Sequence, residues 1–140
     1  MKFKVLLTFL VISFLAIAAC SDNTNNPENQ DEYKQLVQGR WNGKLSKLSQ
    51  QDNEIIYQMT LDLYENKISG ISDISINGKE EKRLSISGEL DYPKVVLNLK
   101  SSDYSFDFEG HFSVTSPKIL IGQIKSTQFG ERSISFNKQP

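Results

Sequence analysis

From Gly39 to the end of the chain, apolar and polar residues alternate with a period of two. Ile55, Tyr57, Met59, Leu61 and Leu63 alternate with Ile56, Gln58, Thr60, Asp62 and Tyr64. Successive side chains of an extended backbone point to opposite sides, so this pattern predicts a strand with one face buried. Leu84, Ile86, Gly88 and Leu90 repeat the pattern, as do Tyr104, Phe106, Phe108, Gly110, Phe112 and Val114, and then Ile134 and Phe136. Weaker alternation marks Arg40 to Leu48, Ile68 to Ile76, Lys94 to Lys100 and Lys118 to Lys125. Eight strands are predicted.

Turn residues separate each pair of strands: Gln51-Asp52-Asn53, Glu65-Asn66, Asn77-Gly78, Tyr92-Pro93, Ser101-Ser102, Ser116-Pro117 and Phe129-Gly130. Asn77-Gly78 is the strongest, since both residues tolerate the positive φ of a two-residue hairpin. The run Lys79-Glu80-Glu81-Lys82 reads as a solvated hairpin tip. No connection is long enough for a crossover helix, so neighbouring strands are expected to be antiparallel. The predicted fold class is all-β, a single eight-stranded antiparallel up-and-down barrel. Closure removes both sheet edges. Gly70, Gly88, Gly110 and Gly122 fall inside strands, where glycine marks a sharp bend or a close backbone approach.

Before Gly39 the pattern changes. Tyr33, Leu36 and Val37 have the i, i+3, i+4 spacing of a short helical turn. Asp31 and Glu32 precede them, at the end where the helix dipole favours negative charge. Residues 21–32 hold Asn, Asp, Glu, Gln, Pro, Ser and Thr and no apolar residue. That composition predicts a disordered tether spanning on the order of 20 Å. Upstream, Lys2 and Lys4 are followed by a run from Val5 to Ile17 that is apolar except for Thr8 and Ser13. The run is shorter than the roughly 20 residues a transmembrane helix takes, and reads as a signal-peptide core.

Charge and composition narrow the function. The chain carries 16 basic and 17 acidic residues. Lys2 and Lys4 are the charges before Cys20, which leaves 14 basic and 17 acidic residues beyond it, a net of −3. Nucleic-acid binding needs clustered Lys and Arg, and this balance argues against it. The single cysteine forms no internal disulfide, and with the single histidine, His111, it makes no zinc set. His111 alternates on the polar face between Glu109 and Ser113, so no catalytic group is assigned and no enzyme is expected.

Ile17-Ala18-Ala19-Cys20 resembles the lipobox of bacterial lipoproteins. The resemblance implies cleavage before Cys20, a diacylglycerol on its sulfur and an acyl group such as palmitate on the new amino terminus. It thus implies a membrane partner held through Cys20. Because Asp22 does not directly follow the cysteine, the expected destination is the outer membrane of a bacterial envelope. The predicted organisation is a signal peptide over 1–19, the lipidated cysteine and linker over 20–32, and a barrel over 33–140.

A helical turn followed by Gly39-Arg40-Trp41 on the first of eight strands resembles the start of calycin barrels, the lipocalin, fatty-acid-binding and avidin group. In those families a basic residue near the end of the last strand packs over the tryptophan. Arg132, Ile134, Phe136 and Lys138 share one face, and Lys138 occupies the matching end. Gly39, Trp41 and Lys138 are therefore the expected structural signature, with Arg132 at the opposite, open end. Ser102-Asp103-Tyr104 resembles a lipocalin Thr-Asp-Tyr but precedes the sixth strand rather than the seventh. Inward residues near the open end are Leu45, Tyr57, Ile76, Leu84, Leu99, Tyr104 and Arg132. Arg132 can neutralise a carboxylate, with the Tyr57 and Tyr104 hydroxyls as further donors. The expected function is a non-enzymatic binding module for a small apolar or acidic ligand or a protein partner. Alternatives are an envelope inhibitor of a hydrolase such as lysozyme, and a structural envelope component. No cofactor or metal is implied.

Overall fold

The structure, a computed structural model, describes residues 30–140, without the side chains of Glu80 and Glu81. The signal peptide, Cys20 and most of the expected tether lie outside the described residues. One helix, α1 (Gln30–Val37), leads into eight strands: β1 (Gly39–Leu45), β2 (Ile55–Tyr64), β3 (Lys67–Ile76), β4 (Lys79–Asp91), β5 (Lys94–Lys100), β6 (Ser105–Phe112), β7 (Ile119–Ser126) and β8 (Gly130–Lys138). Every strand pairs antiparallel with its neighbours in sequence, and β8 closes on β1. The all-β, up-and-down barrel expected from the alternation is the fold observed.

The inward parity is the apolar one. Ile55, Tyr57, Met59, Leu61 and Leu63 of β2 are all buried, and Gln58, Thr60, Asp62 and Tyr64 face out. The inward face of β7, ambiguous in the sequence, is that of Leu120 and Ile124. Trp41, Tyr57, Phe106, Phe108, Phe112 and Phe136 are fully buried and fill the interior. Each such side chain contributes about 1.5–3 kcal/mol on burial. The barrel is narrow, and glycine permits its curvature. A Cβ on Gly70 would lie 2.1 Å from the Thr60 carbonyl oxygen on β2, and one on Gly122 would lie 2.3 Å from that of Glu109 on β6. Neighbouring backbones press together where the strands bend.

Several boundaries differ from those predicted. The helix starts at Gln30, so residues 30–32 belong to it rather than to the tether. β1 ends at Leu45, because a nine-residue loop, 46–54, follows it, and Leu48 is 83% exposed. Lys79–Lys82 is not a hairpin tip. Asn77-Gly78 alone makes the turn, with φ of 52° and 78°, and β4 begins at Lys79. The register slips there, Ile74 pairing with Lys82 and Ser75 with Glu80, so the charged run is accommodated within a strand by a bulge. β6 starts after Tyr104 and ends before Val114, which is 89% exposed at the tip of the loop to β7.

Candidate functional site

β8 places a cation at each end of the barrel. Arg132 and Lys138 share the inward parity with Ile134 and Phe136, both buried. At the α1 end, Lys138 Nζ lies 5.7 Å from the Trp41 ring centroid. It donates to the Leu36 carbonyl at 3.0 Å and also to that of Gln35. The Trp41 indole N–H donates to the Val37 carbonyl at 2.8 Å. Three terminal carbonyls of α1, which have no partner within a helix, are thus satisfied by β1 and β8. Gly39, at φ 129°, turns the chain from α1 into β1, and the Lys138 stem crosses it 3.2 Å from where a Cβ would stand. Burial lowers the Lys138 pKa, and the nearby charge of Lys118 adds to this.

At the other end, loops 46–54 and 127–129, the Asn77-Gly78 turn and the β5–β6 connection form the mouth. Loop 46–54 is shaped by Asp52, whose carboxylate accepts from the backbone N–H of Leu48 at 3.1 Å and of Ser49 at 2.8 Å. It is pinned to the Asn77 turn. The Asn77 N–H donates to the Glu54 carbonyl at 2.9 Å, and the Glu54 N–H donates back to Asn77 Oδ1 at 3.1 Å. Arg132 reaches into this loop from β8, donating to the Asn53 carbonyl at 3.2 Å and to the Ser46 carbonyl. Across the mouth, Gln128 Nε2 donates to the Asp103 carbonyl at 3.0 Å, and the Asp103 carboxylate pairs with Lys82.

Three aromatic rings form a stack here. Phe106 and Phe129 are 5.8 Å apart and nearly parallel, at 4°, and Tyr104 stacks on both at 6.3 and 6.1 Å. Tyr104 and Phe129 are half-buried, so the stack is partly accessible at this end. Beneath them lies Tyr57, fully buried and edge-on to Phe106 at 5.5 Å and Phe136 at 5.8 Å. Its hydroxyl has no hydrogen-bond partner. Burial raises the Tyr57 pKa well above the ordinary phenol value, and the positive charge of Arg132 partly offsets the rise. The phenol is neutral and retains its proton as a donor. Ser72, on β3, is a second fully buried hydroxyl without a partner.

In fold, the chain is similar to designed β-barrels. A de novo designed fluorescence-activating β-barrel matches with a TM-score of 0.59 at 21% identity, over 76% of this chain and 96% of the other. A redesigned β-barrel, mFAP1, solved bound to DFHBI, matches with a TM-score of 0.56 at 11% identity, over 76% and 97%. At these identities the likeness concerns the eight-stranded architecture. No family model matches the sequence, and no curated protein matches it.

The structure brings Arg132, Tyr57 and Tyr104 to the mouth end. Leu45, Ile76, Leu84 and Leu99 are buried on the inward face. Tyr104 contributes through its ring rather than from within β6. Sequence reasoning missed Phe129, which falls in a turn signal, and the Ser46 and Asn53 carbonyls, which no side-chain pattern reveals. The inward parity of β3 was the available signal for Ser72. Among the described residues, no group of three or more His, Cys, Asp or Glu is placed to hold a metal ion. His111 is exposed on the outer face.

Proposed function

We propose that this chain is a bacterial envelope lipoprotein, anchored through Cys20 in the outer membrane. Its barrel acts as a non-enzymatic binding module for a small, largely apolar ligand carrying one acidic group. The observation that carries the ligand reading is the Tyr57 hydroxyl. A buried hydroxyl without a partner costs about 1–3 kcal/mol, and this one lies within the field of Arg132. A carboxylate entering beside Arg132 would accept from the guanidinium, and displacement of the half-buried Tyr104 and Phe129 rings above Tyr57 would open its hydroxyl as a second donor, each bond being charge-assisted. The apolar part would lie on the half-buried rings of Tyr104 and Phe129. Because large aromatic side chains fill the lower barrel, this ligand occupies the mouth rather than a deep cavity. The Gly39-Trp41-Lys138 arrangement supports the calycin resemblance, and Ile17-Ala18-Ala19-Cys20 supports the anchor.

The test is native mass spectrometry of the full chain purified from its bacterial host. The expected result is a diacylglyceryl mass on the chain and a small adduct that is lost in Arg132→Ala. In Tyr57→Phe the adduct is expected to be weakened about tenfold. An unmodified Cys20 rejects the anchor. An empty barrel, with the same empty spectrum from both variants, rejects the ligand.

A further inference from the structure

The α1 end of the barrel carries two exposed apolar side chains on shaped tips. Tyr64 is 78% exposed where β2 turns into β3, and Val114 is 89% exposed between β6 and β7. The Val114 loop is held in one shape. The Ser113 N–H donates to the Ile119 carbonyl at 2.8 Å, the Ile119 N–H to the Ser116 carbonyl at 3.0 Å, and the Ser113 and Thr115 hydroxyls are 3.0 Å apart. Such bonding projects Val114 outward. In the strand order, the β2–β3 and β6–β7 connections stand on opposite sides of the ring, with α1 packed at the same end. Lys34, Arg40 and Lys118 are exposed at this end and form no ion pair among the described residues. Asp31, Glu32, Glu65 and Asp91 are also exposed there, so the end is of mixed charge without a basic patch, and its apolar tips rather than its charge suit it to a lipid surface.

The chain reaches the barrel at this end too. Gln30 opens α1 beside Tyr64, the two lining one groove with Lys34 and Leu63. Residues 21–29 separate Gln30 from Cys20, and nine residues reach at most about 30 Å when fully extended. The ten-residue strands β2 and β3 stand about 25 Å tall at barrel tilt. A barrel with its mouth toward the membrane would pull that linker nearly taut. One with α1 toward the membrane leaves it slack, which conformational entropy favours.

We infer that the α1 end of the barrel docks on the lipid surface. Tyr64 and Val114 are seated in the headgroup–acyl boundary, and the Arg132 mouth faces away from the membrane. This rests on the Cys20 anchor but not on any ligand. Tyrosine suits that boundary because its ring is apolar and its hydroxyl stays hydrated. Two small insertions would not hold a free domain, but the tether supplies a high effective concentration at the surface.

The test uses the full lipidated chain reconstituted into phosphatidylethanolamine/phosphatidylglycerol vesicles with brominated acyl chains, which quench tryptophan on contact. Tyr64→Trp and Val114→Trp probe the docked end, Leu48→Trp probes the mouth end, and the wild type gives the baseline for buried Trp41. Docking predicts quenching of the first two roughly threefold or more above that of Leu48→Trp. If the chain floats with the vesicles but all three variants quench alike, or none quenches, the docking is wrong while the anchor stands. If the chain does not float with the vesicles, the anchor fails and the docking with it.

Discussion

The Lys138 ammonium stands 5.7 Å from the centroid of the Trp41 ring and donates to the Leu36 carbonyl at 3.0 Å, so one side chain joins the last strand, the first strand and the helix. The contact combines a cation–π attraction with satisfaction of a helix C-terminus. Lys138→Met keeps the aliphatic stem over Gly39 and removes the charge. Its expected cost is about 1–2 kcal/mol. Lys138→Ala also loses the stem packing and is expected to cost more. Urea denaturation of the two variants checks the order.

The neutral, unpartnered Tyr57 hydroxyl sets stability against binding. Tyr57→Phe removes a buried polar atom and is expected to raise stability by about 1 kcal/mol, even as it weakens the proposed ligand. The same hydroxyl gives a pH signature. Its folded pKa is raised, so its contribution is fully present below the ordinary phenol value of about 10 and is lost as pH rises beyond that. Wild-type stability is expected to fall above about pH 10 more steeply than that of Tyr57→Phe. Chemical denaturation across that range distinguishes the two slopes.

Gly70 and Gly78 separate two reasons for glycine. A Cβ at Gly70 meets backbone 2.1 Å away, whereas one at Gly78 meets nothing within 4 Å but must adopt φ 78°. Gly70→Ala is expected to destabilise by about 3 kcal/mol or more, because the neighbouring strand must shift. Gly78→Ala is expected to cost about 1 kcal/mol, the strain of positive φ alone. Thermal melts of both variants decide whether curvature or turn geometry is the tighter constraint.

Asp73 pairs with Arg83 across β3 and β4, with the guanidinium Nε 2.8 Å from one carboxylate oxygen. The hydrogen bond from Arg83 lowers the Asp73 pKa. A depressed carboxyl stabilises the fold above its unfolded pKa of about 3.9, and the contribution disappears as pH falls through the folded value. The pair is solvent-exposed, so Asp73→Asn is expected to cost less than about 1 kcal/mol at neutral pH. Its stability difference from wild type is expected to vanish in acid. Unfolding at pH 7 and in strong acid tests the convergence.

The alternation of β2 made that strand legible, because its inward residues are apolar without exception. Parity also placed Arg132 and Lys138 at opposite ends of β8. The end of β1 was not legible, since Leu48 reads as one more apolar strand residue although it lies three positions after Leu45, on the outward parity, and nothing in its identity shows that it is exposed. Lys79–Lys82 looked like a loop because a charged run and a strand edge on a bulge have the same composition. Phe129 was hidden in a turn signal, its partners Tyr104 and Phe106 lying more than twenty residues away. The bonds from Arg132 to the Ser46 and Asn53 carbonyls were beyond reach for a similar reason. Backbone acceptors carry no sequence signal, and 79 or more residues separate the partners.

The seam between β1 and β8 runs through three residue pairs, Trp41 with Lys138, Asn42 with Asn137 and Gly43 with Phe136, whereas β2 and β3 share ten. All other pairings join strands adjacent in sequence, so seven hairpins can form quickly and in any order. The seam alone requires chain segments about a hundred residues apart to meet, and it bears the whole entropy of closing the ring. Ring closure at Trp41, Gly43 and Phe136 is therefore expected to be the slow event of folding, and the first joint to part when the barrel unfolds.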